Sequence, residues 1–320
     1  MRMSMGCAMR VATITTAWLT VGVTLVICDQ VAATTPIDGV GPAGPVKKVA
    51  TGFTFTEGPA YRDGWLYFTD IPNERIHRLD ASGKVTLFSD KSRHANGLMF
   101  TPAGKMLACE MDGQLVEYDL ASNKRQVLSS EFNGVRFNAP NDLVIDSHGG
   151  VYFTDPRFRA PQPLPQRGQH VYYRSPQGVV SRITPNLPAP NGVLLARDEK
   201  TLYVLPSSSS SMWAYDITSP GKVSAGREFC QVTQSRGQRS RGSDGATLDE
   251  QGNLYLTTQM GVQIFNEQGQ HLGSIRLPEK PSNVTFGGED GKTLYATART
   301  SVYAMPMLVR GHTFGGQVKE

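Results

Sequence analysis

A short apolar run, usually built around an aromatic residue, recurs six times along the chain: residues 65–70 (WLYFTD), 105–110 (KMLACE), 150–155 (GVYFTD), 201–206 (TLYVLP), 253–258 (NLYLTT) and 293–298 (TLYATA). Each follows a turn signal such as Asp63-Gly64, Ala103-Gly104 or Gln251-Gly252, and a second run with strand character comes after it: 75–79, 114–118, 170–173, 211–215, 261–265 and 301–305. Short apolar or β-branched segments, such as 85–88 and 126–128, close the earlier repeats. β-Branched and aromatic residues bounded by Gly, Asn, Asp and Pro are what strands and tight turns require. The pattern predicts six repeats of four strands.

Ahead of each run stands an opening in which a polar residue lies four places before an apolar or aromatic one. These openings start at Glu57, Asn96, Asn141, Asn191, Asp244 and Ser282, with spacings of 39, 45, 50, 53 and 38 residues. That is the period of a propeller blade, and no useful helical period appears after Val46. The fold expected is all-β: a six-bladed β-propeller with four-stranded blades. An N-terminal strand within 46–55, otherwise surplus, would pair with the last repeat and close the ring, removing two exposed sheet edges.

In such a ring the first strand of each blade lines the central channel, so one register of it converges on one mouth. An isolated Asn-Gly or Asp-Gly is ordinarily a turn. Six aligned oxygen-bearing side chains, two of them acidic, instead suit a hard divalent cation that neutralises crowded charge. No His or Cys joins the set, which argues against zinc.

Composition fits this picture. The chain has 320 residues, 39% hydrophobic and 19% charged, with 33 Gly and 20 Pro spread along it, as a soluble protein with many turns requires. Its net charge of +4 is too small and too dispersed to indicate a nucleic-acid partner. Arg236, Arg239 and Arg241 form the one local basic cluster, read as a solvated loop or a cationic rim. Residues 1–33 have the make-up of an export signal: Arg2 and Arg10, an apolar run from Val11 to Ile27, then Val31-Ala32-Ala33. The run is short for a membrane span, so a periplasmic or extracellular protein is expected. Residues 34–45 (TTPIDGVGPAGP) read as a linker, with the propeller filling 46–320. After removal of the signal, Cys109 and Cys230 remain, expected as two separate buried thiols.

Residues 55–59 (FTEGP), 138–142 (NAPND) with 150–156 (GVYFTDP), 190–192 (PNG) and 243–245 (SDG) resemble the gluconolactonase/regucalcin (senescence marker protein) family of lactone hydrolases. The resemblance runs from about Val46 to Gly311, with its motifs in order. It implies a single metal site with ligands Glu57, Asn191 and Asp244, and Asn141 at the metal or reaching it through water. Calcium is the expected ion, with magnesium, manganese or zinc as alternatives. Asn96 and Ser282 are on the ring by repeat alone, and a supporting role is expected for both.

The resemblance also implies hydrolysis of a gluconolactone-like sugar lactone by metal-activated water. Asp244, acidic and placed where the family's base is, would be the catalytic proton acceptor. Candidate substrate contacts from the connecting loops are His94, Arg136, Asn138, Arg157 and Phe158, and the Pro- and Arg-rich segment 157–169 is long enough to act as a lid. Asp70, Glu110 and Asp155, at matching strand ends, are expected to cap turns or form a secondary cation site. A promiscuous arylesterase or organophosphate hydrolase is an alternative, as is a non-catalytic binding propeller that holds its metal structurally. The partner expected is a small-molecule lactone, with the protein a monomer or dimer.

Overall fold

The apolar residues of each repeat alternate sides so that one blade packs face to face on the next, which makes the core a series of layers between blades. In the computed structural model, which describes residues 35–234, 237 and 242–315, these layers hold Tyr67, Tyr118, Tyr152, Tyr203, Tyr255 and Tyr303, all buried. The described residues from 35 onward belong to one compact unit. The expected export signal and the Arg236, Arg239, Arg241 cluster lie outside the described residues.

Six antiparallel sheets follow one another in sequence order. Blade 1 contains Thr56–Arg62, Trp65–Asp70, Arg75–Leu79 and Val85–Ser89; blade 2 contains Ala95–Phe100, Met106–Glu110, Gln114–Tyr118 and Arg125–Ser129. Blade 3 contains Leu143–Ile145, Val151–Asp155, His170–Arg174 and Val180–Arg182. Blade 4 is built on Pro190–Leu195, Thr201–Pro206, Ser211–Ser219 and Arg227–Gln231, and blade 5 on Ala246–Leu248, Leu254–Thr258, Gly261–Phe265 and His271–Ile275. Blade 6 takes Pro281–Gly287, Thr293–Ala298 and Ser301–Pro306 from the C-terminal part of the chain and Lys47–Thr51 from the N-terminal part. That last strand pairs with Ser301–Pro306 and closes the ring.

Two additions were not visible as repeats. A hairpin, Glu131–Phe132 with Val135–Arg136, precedes blade 3, and Lys222–Val223 extends the long third strand of blade 4. In the stretch expected as a linker, Val40 is buried in the blade 5–6 layer and its carbonyl accepts from Leu308 N (3.1 Å). Apolar packing therefore starts before Val46. Cys109 and Cys230 are free, buried and in different layers.

Candidate active site at one mouth of the channel

The inner strands do not run straight through the ring. Their registers slip by a bulge between Glu57 and Ala60, Ala95 and Leu98, Pro190 and Gly192, and Pro281 and Asn283, at the polar opening of each blade concerned. A bulge re-aims side chains, and here consecutive residues come to face the channel. Neighbouring inner strands then touch through backbone: Gly97 N donates to Asn141 O (2.8 Å), Gly192 N to Asp244 O (3.0 Å) and Gly245 N to Ser282 O (2.8 Å). At Gly58 (φ 47°) a Cβ would sit 1.8 Å from Asn96 O, and at Gly245 it would sit 1.9 Å from the Asn283 side chain. Only glycine permits either approach.

The threonine of each TD- or TT-type strand end secures this ring. Thr69 Oγ1 donates to Asn96 O (3.2 Å), Thr154 Oγ1 to Asn191 O (2.7 Å) and Thr257 Oγ1 to Ser282 O (2.8 Å), each reaching the next blade. The site backbone is thus fixed before any ligand binds, which is what preorganisation requires.

A cavity of about 310 Å³ opens at this mouth, lined by Glu57, Asn96, Asn141, Asn191 and Asp244 together. Glu57 and the three asparagines are buried, and Asp244 lies deep within the ring with part of its surface open to the cavity. One wall is apolar, made by Phe55, Ile71, Met111 and the exposed Phe158 of the 157–169 segment. Lys280 and Ser207 stand in the lining as well, with Arg159 from the same segment as Phe158.

Glu57 and Asp244 touch each other inside the protein. Burial holds the Glu57 carboxyl well above the usual carboxylate range, and the charge of Asp244 pushes it the same way. Gly58 N (2.8 Å) and the Asn283 amide oppose the shift. Burial also raises Asp244, against the positive charge of Lys280, the Asn191 amide and Arg299. Asp142, one residue beyond Asn141, is pushed up to about 7 by burial, with the Leu143 N–H opposing and the Asp244 charge adding.

The other expected residues are placed differently. Ser282 is off the cavity: its hydroxyl donates to Thr56 O (2.6 Å) and Thr297 O (3.1 Å), tying blade 6 to blade 1. Asn138 is fully buried and spends its side chain on the 157–169 segment, donating to Gly168 O (2.8 Å) and accepting from Gln166 N (3.1 Å). Arg136 points away and donates to Asp112 O (2.7 Å). Arg157 is exposed and its N–H is bonded to Gln169 Oε1 (3.1 Å). His94 sits at the rim between Asp112 (3.0 Å at Nδ1) and Arg159 (2.8 Å at Nε2). Of the five candidate substrate contacts, Phe158 alone lines the cavity.

Asp70 and Asp155 hold loops, as the turn-capping expectation had it. Asp70 accepts from Phe55 N (3.0 Å) and Asp155 from Asn138 N (2.9 Å) and Ala139 N (2.7 Å). Glu110 is engaged by Arg125 and by Tyr118 Oη (3.0 Å).

Fold and cavity together define the class: a six-bladed propeller whose inner strands bring two carboxylates and three amides to one channel mouth. The sequence profile of the SMP-30/Gluconolactonase/LRE-like region matches residues 55–300, which contain every one of these residues, and the chain belongs to that family. A gluconolactonase of Zymomonas mobilis is 31% identical over 85% of this chain and 82% of its own. Pentonolactonase XacC of Haloferax volcanii is 28% identical over 78% of this chain and 83% of its own. Among solved structures, a gluconolactonase of Xanthomonas campestris superposes with a TM-score of 0.75 at 28% identity, covering 82% of this chain and 89% of that one.

Proposed function

We propose that the protein is a lactonase that opens sugar lactones with the help of one divalent cation. The observation that carries this reading is the meeting of Glu57 and Asp244, two buried carboxylates in contact, beside Asn141 and Asn191 at a single cavity. Like charges so placed repel unless a proton or a cation lies between them. The donors are hard oxygens with no His or Cys among the described lining, so the set fits calcium, magnesium or manganese better than zinc.

Glu57, Asn141, Asn191 and Asp244 would hold the cation, which when bound supplies the Lewis acidity that polarises an ester carbonyl. The remaining chemistry belongs to the chain. Asp244 accepts a proton from the attacking water at a carboxylate oxygen, with Lys280 and the Asn191 amide favouring its charged form against the effect of burial. Water oxygen bonds to the lactone carbonyl carbon, the ring C–O bond breaks, and the ring oxygen takes up a proton to leave a hydroxy acid. Phe55, Ile71, Met111 and Phe158 pack the face of the lactone ring and keep bulk water from it. Asn96, whose amide nitrogen lies 3.9 Å from Met111 Sδ, supports that wall.

A panel of sugar lactones and aryl esters, assayed with and without chelator, tests the proposal. Chelator-sensitive lactone opening restored by calcium is the expected result. Ester turnover without lactone opening would replace it with the esterase reading, and a folded, metal-loaded protein inert to both would leave a binding propeller. Export rests on residues 1–33 alone and is checked by fractionating cells that express the full chain.

A further inference from the structure

Lys280 immediately precedes the inner strand of blade 6 and lines the same cavity as Glu57 and Asp244. It is half-buried, and among the described residues no carboxylate lies within ion-pair distance of its ammonium. The adjacent Glu279 is engaged elsewhere, by Ser301, by Tyr303 Oη (2.8 Å), by Thr300 N (3.0 Å) and by Lys48 (3.6 Å). Lys280 is felt at the centre of the site, being the strongest influence that favours the charged form of Asp244.

Charge in the cavity does not balance once a cation is added. The lining holds two carboxylates, Glu57 and Asp244, and two basic groups, Arg159 and Lys280, while the nearby Asp142 carboxyl, off the lining, is pushed up to about 7 by burial. A divalent ion on the ring matches the two carboxylates, and both basic groups are then left over. Arg299, also on blade 6, adds positive charge on the side of Asp244. Arg159 is partly accounted for, since one tautomer of His94 accepts from it at Nε2 and donates to Asp112 at Nδ1. Lys280 has no such partner. A neutral sugar lactone offers it only hydroxyl groups, whereas an anion would be drawn into the cavity and matched there.

We propose that the cavity selects lactones bearing a second anionic group, a carboxylate or a phosphate remote from the lactone carbonyl, and that Lys280 is the residue that selects them. The inference rests on the lactonase reading and specifies its substrate class. Phe158 and the apolar wall hold the ring, the polar ring addresses the carbonyl, and Lys280, in the same lining, receives the remote anion. Raising the ionic strength narrows the selection, because the contact is half-exposed.

Matched pairs test this: D-glucaro-1,4-lactone against D-glucono-1,4-lactone, and 6-phosphoglucono-1,5-lactone against glucono-1,5-lactone. The wild-type protein is expected to show the higher kcat/KM for the anionic member of at least one pair, and which pair responds identifies the anion. Lys280→Met is expected to lower that ratio about tenfold, mainly through KM, and Lys280→Arg to restore most of it. An equal or lower kcat/KM for the anionic members, or a ratio unchanged in Lys280→Met, overturns the proposal. Thermal melts of both variants confirm that they fold. If no lactone is opened although calorimetry shows calcium bound, the lactonase reading fails. The subsite is then read by titrating the calcium-loaded protein with D-glucarate and with D-gluconate. Glucarate binding no tighter than gluconate, or equally tight in Lys280→Met, overturns it there too.

Discussion

Two regions of this propeller bury carboxylates, and they do so in opposite ways. On the shoulders of the blades, Asp70 and Asp155 have their oxygens filled by backbone N–H groups of the loop entering the blade. At the channel mouth, Glu57 and Asp244 touch each other beside a cavity: the Asp244 charge raises the cost of ionising Glu57, and the Glu57 side chain hydrogen-bonds Asp244. A buried carboxylate with fixed donors is part of the scaffold. One that meets another carboxylate at a cavity is unfinished without a ligand.

The largest effect that separates the two is on turnover. Asp244→Asn is expected to lower kcat/KM for any lactone substrate by at least about 10³-fold, near the loss of about 4 kcal/mol of transition-state stabilisation. The metal-free variant should melt no lower than wild type at pH 8, because one of two repelling charges is gone. A lower melting point would break the comparison, since Asp244 would then be scaffold.

Next in size is the reciprocal change. Asp155→Ala leaves two buried N–H groups, Asn138 and Ala139, without acceptors, and should destabilise the fold by about 2–3 kcal/mol in denaturant titrations. Loss of calcium affinity without loss of stability would sink the scaffold role.

The pH dependence of stability sharpens the contrast. Glu57 and Asp244 are raised by burial, and Asp142 and Asp155 are pushed up to about 7, against about 4 in an unfolded chain. Groups raised in this direction stabilise fully below their unfolded value and lose that contribution as pH rises through the folded one. The metal-free protein should therefore lose about 5 kcal/mol or more between pH 5 and pH 8. Calcium should remove the share due to Glu57 and Asp244 and leave that of Asp155. If melts with and without calcium run parallel across this range, the pair at the mouth does not bind the ion.

The smallest effect concerns the frame that both regions share. Thr154→Val deprives Asn191 O of its 2.7 Å donor and should cost about 1 kcal/mol, with a few-fold loss of calcium affinity by calorimetry. Stability lost with affinity unchanged would mean that the ring does not depend on this tie.

The arrangement of strands was legible because strand pattern is local: an aromatic run, a turn and another run repeat whatever surrounds them. Residues 65–70, 201–206 and 293–298 form strands with the ends read from the sequence. The polar register was legible for the same reason, and five of its six members line one cavity. Asp142 and Asn283 were harder to see. They stand one place beyond the ring residue, where the other blades carry Gly58, Gly97, Gly192 and Gly245, and that departure was the available signal. Nothing local distinguishes Asn138, turned towards Gln166 and Gly168, from Phe158, turned into the cavity.

By itself, then, the sequence determined a ring of six blades with oxygen-bearing side chains at one register, because repeat period and residue type are properties of neighbouring positions. Tertiary structure alone decided that Glu57 and Asp244 touch, that Ser282 ties blades rather than lining the cavity, and that Lys280 and Arg159 line the same cavity. Those outcomes depend on bulges and on contacts between residues far apart in the chain. No spacing along one strand encodes the distance between two strands that meet only when the ring closes.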